Sequence, residues 1–312
     1  MDATEPLPAN TAFTLRPFQN ADADAVARVV TASVRGLWTY RSDDFRQSAE
    51  PRRRLVAVLG NAVVATAHLL PFGPSTPDAL RLDLAGDGAA FTPLYLALLG
   101  DLPAAVRAGE YTRLLGVTRE DFPETMHFFH AAGFRNAWQS WGAHLDLRAF
   151  DAAAFQPLEK RLFLNGYEVE RLRPDAPEAD WDDLHVLHVI GRDDVPRTPA
   201  TTPDALTRDE LRATVLRGEA VFVTRWRGRI VASTRLSVRE HAVESEDTVT
   251  HPAHRGRGVA TTVKAHALGW ARAEGRSRAG TGGAVLNVPM LRVNARLGYR
   301  VEPMWVTWER QL

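Results

Sequence analysis

"HPAHRGRGVATTVKAH", residues 251–266, sets His254, Arg255, Arg257 and two glycines directly before a segment with helical spacing. A helix start carries unpaired N–H groups and about half a positive charge, so it holds an anion well. Glycine lets the backbone approach that anion because no Cβ intervenes. Upstream, "VESEDTVT" (243–250) alternates as a strand; downstream, residues 258–274 form a helix with Val259, Val263, Ala267, Trp270 and Ala271 on one side and Gly275 as its stop. The stretch therefore reads as strand, anion-binding loop, helix. No Gly-Lys-Ser/Thr follows the glycines, so it is not an NTPase phosphate loop.

Around this core the spacing predicts a strand over 168–173, helices over 178–189 and 204–217, and a hairpin over 220–239. After the helix come a weak strand, a further helix over 288–297 and a last strand. The further helix opens at Asn287, a good N-cap with Pro289 in the first turn, and stops at Gly298.

The chain repeats this plan. "LVAVLGNAVVATAHL" (55–69) and "VFVTRWRGRIVASTRL" (221–236) are both hairpins, offset by 167 from Val64 to Val231. "LRPF" (15–18) and "LRPD" (172–175) each close a strand before an acidic, helix-spaced stretch. "HAAGFR" (130–135) and "ARLGYR" (295–300) each end a helix at Gly. Three landmarks in one order at a near-constant offset indicate a duplicated unit of about 150 residues. Between the copies, Phe150, Phe155, Leu158, Leu162 and Phe163 make a stripe that predicts a packed linking helix over 148–165, stopped at Asn165-Gly166.

The loop "RGRGVA" (255–260), between strand and helix, resembles the Arg/Gln-x-x-Gly-x-Gly/Ala loop of the GNAT (Gcn5-related N-acetyltransferase) superfamily, and "NVPMLRVNARLGYR" (287–300) is similar to that family's later helix. The resemblance covers the second copy and, through the landmarks, extends more weakly to the first. It implies an α/β (α+β) chain of two tandem GNAT-like domains, each a mixed, largely antiparallel sheet flanked by helices. The expected layout is an unstructured 1–11, a degenerate domain over 12–147, the linking helix, and a catalytic domain over 166–312. The tandem layout is similar to that of mycothiol synthase, whose acceptor is an amine on a sugar-like scaffold.

By the same resemblance the bound anion is the pyrophosphate of acetyl-CoA, held by Arg255, Gly256, Arg257, Gly258, Val259, Ala260 and Thr261. Backbone near Val249 and Thr250 would line the pantetheine arm, and Asn287 either caps its helix or meets the coenzyme. Acetyl transfer needs an unprotonated amine, hence a base. On the strand, Glu244, Glu246 and Thr248 alternate onto one face. Glu244 stands eleven residues before Arg255, where many GNAT enzymes place a catalytic Glu, and a second carboxylate nearby raises one of the two pKa values. The family's Tyr, four residues before the helix-ending Gly, is replaced by Asn294, which is expected with Asn287 among the residues that meet the coenzyme. Asp193 and Asp194 fall in a polar loop expected to meet the acceptor.

The first copy lacks the loop: "DLAGDGAAFTPLYLALL" (83–99) has glycines and two acids but no arginine, which opposes a pyrophosphate. His127/His130 and His185/His188 are i, i+3 pairs without a third ligand, so no metal is expected. Acidic and basic residues balance at 38 each, which argues against a nucleic-acid coat. With no cysteine, no signal-type N-terminus and no apolar run of about 18 residues, the chain reads as a soluble cytoplasmic protein, monomer or homodimer. The expected activity is N-acetylation of a small primary amine by direct attack; the alternative is a module that senses acetyl-CoA without turnover.

Overall fold

A computed structural model of the chain describes residues 13–46, 53–73, 76–100, 109–196 and 205–312. The segment 1–11 expected to be unstructured lies outside the described residues. Two compact units emerge. The first runs to Gln139 and takes in Trp305–Leu312; the second holds the described residues from Ser140 to Met304.

In the first unit β1 (Thr14–Pro17), helix α1 (Ala23–Ser33), the hairpin β2 (Arg53–Leu59) and β3 (Ala62–Pro71), and β4 (Ala79–Gly86) are followed by α2 (Phe91–Gly100), β5 (Arg113–Arg119) and α3 (Pro123–Ala131). The sheet order is β1-β2-β3-β4-β5. Its core sets Phe91, Leu94, Tyr95 and Leu98 of α2 and Phe128 and Phe129 of α3 against Leu80, Leu82 and Leu114. Each such side chain taken from water stabilises the fold by about 1.5–3 kcal/mol.

The second unit contains β6 (Arg135–Asp146) from Ser140 onward, α4 (Gln156–Leu164), β7 (Tyr167–Arg171), α5 (Glu178–Asp194), α6 (Arg208–Leu216), β8 (Ala220–Trp226), β9 (Arg229–Val238) and β10 (Ala242–Thr250). Then come α7 (Val259–Ala273), β11 (Arg278–Ala284), α8 (Val288–Arg296) and the short β12 (Arg300–Val301). Here the order is β6-β11-β10-β9-β8-β7. The inner stripe of α7, with Val263, Ala267, Leu268 and Ala271, packs on Trp141, Leu236, Val243 and Ala279. The last strand, β13 (Trp305–Gln311), pairs antiparallel with β5 and belongs to the first unit. The units thus differ from the expected division at 147 and 166: residues from Ser140 of β6 sit in the second, and β13 sits in the first.

The strand β11, "RAGTGGA", has little intrinsic β preference. Its glycines are explained by what covers them. A Cβ on Gly280 would lie 2.1 Å from Glu244 Oε2, and one on Gly283 would lie 3.0 Å from the Trp141 ring.

Among the described residues each unit shows a parallel pair, and both pairs come apart. β4 meets β5 only at Ala79–Arg81 with Arg113–Leu115; β10 meets β11 only at Ala242–Glu244 with Arg278–Gly280. Past those points each strand keeps its outer neighbour: β4 stays on β3 to Gly86, β5 on β13, β10 on β9 to Thr250, and β11 on β6 to Ala284. Each unit therefore holds a fork between two strands whose inner edges no longer pair with each other.

The linking segment corrects the expected helix over 148–165. Residues 147–149 and 152–155 form 3-10 turns begun by the Asp146 and Asp151 side chains, and only Gln156–Leu164 is α-helical. Leu158 and Leu162 are buried, whereas Phe163 is 62% exposed and leaves the expected stripe.

Candidate active site

The second unit's fork opens onto the loop quoted at the outset. Gly256 and Gly258 have φ of +73° and +92°, a region that suits glycine. Gly258 caps α7 without any side-chain bond. Among the described residues the N–H groups of Gly256, Arg257 and Gly258 find no acceptor in the chain, and the first N–H groups of α7 have none by helix geometry. This helix start is free.

The tip of the fork's β10 arm, Thr248–Thr250, and the helix start share one cleft of about 640 Å³; Glu244, Glu246 and the β11 arm do not line it. Of the residues expected to hold the coenzyme, Val249, Thr250, Arg255, Gly256, Gly258, Val259, Ala260, Thr261 and Asn287 line it. Arg257 does not: its guanidinium reaches back to the Ala253 carbonyl at 3.3 Å. Arg255 is tied to the Thr250 carbonyl at 2.9 Å and to Asp194, so it braces the loop against the end of α5. Asn287 accepts from the Met290 N–H at 3.3 Å, which makes it the cap of α8 while it also faces the cleft. The Thr250 hydroxyl is buried with no partner.

Asp193 and Asp194 are not in a loop. Helix α5 continues to Asp194 and places them in its last turn. Asp194 lines the cleft and pairs with Arg255; Asp193 is exposed and does not line it.

The expected alternation of Glu244, Glu246 and Thr248 is also corrected. The β9–β10 register steps from Ser245 opposite Leu236 to Asp247 opposite Arg235, leaving Glu246 in a bulge. A bulge shifts the alternation by one and bends the strand away from its neighbour. Glu244 therefore shares its face with Asp247 and Val249, while Thr248 turns to the opposite face. The same residue that spoils the alternation helps open the fork.

Glu244 stands in the last β10–β11 pair, at the fork's apex, with its carboxylate over Gly280. Partial burial pushes its carboxyl above the usual range; Arg278 and Arg239 oppose this, and the Glu246 and Glu302 carboxylates add to it. Beside it on that face, burial alone would raise Asp247, yet its hydrogen bond with His188 and the charges of Arg235 and Arg192 hold it well below the usual range. His188 Nε2 accepts from the Leu206 N–H at 3.0 Å, so Nδ1 carries the hydrogen and points it toward Asp247, 3.5 Å away. This is a structural role for a histidine in one of the two i, i+3 pairs. Among the described residues no group of three His, Asp or Glu side chains is placed to hold a metal.

Several site residues were not read from the sequence. Arg292, with Met290 and Val293, lines the cleft from α8 and makes no ion pair or hydrogen bond of its own among the described residues. Its signal was the position on the cleft-facing side of a recognised helix. His254 lines the loop side, bonded to the Tyr167 hydroxyl at 2.9 Å; burial, then His251 and Arg257, lower its pKa. Asn294, by contrast, expected at the coenzyme, does not line the cleft: it is 1% exposed, with neither amide atom bonded. The Lys264 ammonium lies 5.3 Å from the Tyr299 ring, and burial lowers its pKa to about 7.

Residues 185–299 match the Acetyltransferase (GNAT) family. No curated protein matches the chain in sequence. Among solved structures, a GCN5-related N-acetyltransferase from Sphaerobacter thermophilus is similar at a TM-score of 0.65 and 14% identity, over 96% of this chain and 95% of that one. A tandem GNAT protein from the clavulanic acid biosynthesis pathway is similar at 0.58 and 18%, over 96% and 98%. The glucosamine N-acetyltransferase region of a fungal multi-domain GH3 β-N-acetylglucosaminidase is similar at 0.64 and 15%, over 97% of this chain and 38% of that one. These likenesses establish a tandem GNAT fold. No helix among the described residues is long and apolar enough to cross a membrane.

Proposed function

With its residues 185–299 a domain of the Acetyltransferase (GNAT) family, we propose that this protein is an acetyl-CoA-dependent N-acyltransferase acting in its second unit on a small primary amine. One observation carries this reading: the end of the β10 arm, where the fork has parted, and an uncapped helix start share a single cleft. The site fits a long, thin molecule with an anionic end and an amide arm. The free N–H groups of 256–261 and the Arg292 guanidinium suit the anion. The inner edge of β10 and the unpartnered Thr250 hydroxyl suit the arm. When bound, the thioester supplies an activated acyl group.

The chain's own part is to take a proton. An ordinary amine is protonated near neutral pH and cannot attack. In this reading Glu244, at the fork's apex with its pKa raised, accepts that proton, although its side chain lies outside the cleft lining. Asn294 has no acidic proton to give, so no protein acid assists from that position.

Asn294 also favours a second reading, a module that binds acetyl-CoA without turnover. Thiol release measured across a panel of primary amines, glucosamine included, separates the two. Release that depends on an amine establishes the enzyme; tight acetyl-CoA binding without such release establishes the module.

A further inference from the structure

The first unit keeps a fork but has closed its anion site. Helix α2 is preceded by a 3-10 turn (Gly88–Ala90) whose N-cap is Asp87, and the Asp87 carboxylate accepts from the Ala89 N–H at 2.9 Å. A built-in anion occupies the helix entrance that the second unit leaves free. Yet the fork itself is not filled. A cavity of about 420 Å³ runs along the inner edges of β4 at Leu82–Gly86 and of β5 at Val117 and Thr118. All its lining residues belong to the first unit.

Its walls differ in kind from those of the second unit's cleft. Trp38, Tyr40, Phe45, Phe91, Phe129 and Trp305 line it. Trp38 lies 5.5 Å from Trp305 and Tyr40 lies 5.8 Å from Phe45, centroid to centroid. At the mouth, Trp38 and Tyr40 are 40% and 37% exposed. Exposed aromatic rings around a concave opening mark a binding surface. Of the three arginines in the wall, Arg54 and Arg81 are engaged within the unit, and Arg35 is exposed. Arg54 donates to the Phe45 carbonyl at 2.7 Å and stacks on Phe18 and Phe45, and Arg81 pairs with Asp83 at 2.7 Å. The Asp83 and Glu124 carboxylates in the wall and Asp87 at the helix entrance offset these arginines, so little positive charge is left for a diphosphate. The Gly86 N–H is taken by the Ser33 hydroxyl at 2.7 Å, while past Arg81 and Leu115 the two strands no longer pair with each other and leave other backbone groups along the fork.

We propose that the first unit's fork is a second small-molecule site, shaped for a neutral aromatic compound that carries an amide, and not for a nucleotide coenzyme. The ring would lie among Trp38, Tyr40 and Trp305, and the amide would pair with the inner edges of β4 or β5. This does not depend on the activity proposed for the second unit.

The test is calorimetry on the full chain, with N-acetyl-phenylalanine amide as the probe and N-acetyl-phenylalanine as its charged counterpart. The amide should bind saturably, one per chain, and more tightly than the carboxylate. Trp38→Ala should weaken it by about three- to tenfold, the usual weight of one aromatic contact. Val117→Trp, which fills the fork, should abolish binding while the melting transition stays cooperative. No saturable binding of the amide would overturn the proposal, as would binding that neither variant alters. A second acetyl-CoA per chain, lost in Val117→Trp, would show instead that the fork takes the coenzyme and would also overturn it.

Discussion

The two units hold the same fork, and they differ in what stands at its two ends. In the second unit the helix beyond the fork begins with a bare glycine, and a carboxylate, Glu244, lies over Gly280 at the apex. In the first unit the helix entrance carries Asp87, and at the apex the Phe129 ring lies over Gly116, where a Cβ would come within 2.2 Å of it. One copy leaves its helix entrance bare and sets a carboxylate at the apex; the other sets an acid at the entrance and a ring at the apex. If the second unit is the acyltransferase proposed above, strand geometry alone does not make one, and the helix cap and the apex side chain are the differences to test.

Breaking the apex should give the largest effect. Glu244→Gln keeps the shape and removes the basicity, and turnover near neutral pH should fall by about 10² to 10⁴ with acetyl-CoA affinity close to unchanged. Since the Glu244 pKa is raised, the acid limb of the wild-type rate profile should lie above the ordinary carboxylate value of about 4.3. The rate should be lost as pH falls through it. A raised carboxyl favours its neutral form in the fold, so the Gln variant should be no less stable at neutral pH. Glu246→Gln is the control: if it abolishes turnover and Glu244→Gln does not, the bulged residue is the base.

The next contrast is between Asp247 and Asp83, which occupy similar places opposite Arg235 and His68. Asp247 is largely buried among Arg235, Arg192 and His188, whereas the Asp83–Arg81 pair is well exposed. Asp247→Asn should cost about 2 kcal/mol, below the range for a fully buried pair, and Asp83→Asn under about 0.5 kcal/mol. Because the folded pKa of Asp247 is depressed, its contribution is present above the unfolded value of about 3.9. It disappears as pH falls through the folded value, so chemical denaturation of Asp247→Asn should show a flatter acid limb. An equal cost at the two sites would erase the contrast.

The helix entrance comes third. Gly258 is a poor place to probe it, since a Cβ there would also press on Leu158 at 2.9 Å. Gly256 has open space, and its positive φ is tolerated best by Asn and Asp. Comparing Gly256→Asp with Gly256→Asn holds the backbone strain constant and varies the charge. Acetyl-CoA affinity should be at least about tenfold lower for the Asp variant; equal affinities would remove the anion from this loop. Smallest is Asp87→Ala, which should cost about 1 kcal/mol as a lost cap and leave coenzyme stoichiometry at one per chain. A second bound coenzyme there would mean that Asp87 alone had closed the first unit.

Much of this was legible because it rests on local rules. The hairpins followed from alternation around Gly60 and Gly228, and the helix stops at Gly133 and Gly298 from the left-handed conformation each adopts. The loop was readable because two glycines and a helix start are a local signature. What escaped depends on partners far along the chain. The bulge at Glu246 exists only relative to β9, and α5 runs on to Asp194 where Arg255 pairs with its last turn. The exchange of β6 and β13 is a matter of pairing, to which alternation within a strand is blind. Asp87 was seen as a repelling acid, but its role as a cap appears only once the turn is formed.

The glycines of β11 have a dynamic consequence. One arm of the second unit's fork is a strand with four consecutive residues, Gly280 to Gly283, that include three glycines. Such a segment gains little from its own side chains and is held by what lies on it, Trp141 and Glu244 above all. Its amides should open for hydrogen exchange well before those of β9 or β10. An arm that loosens ahead of the surrounding sheet would let a long ligand enter sideways, without requiring the unit to unfold or a separate lid to move.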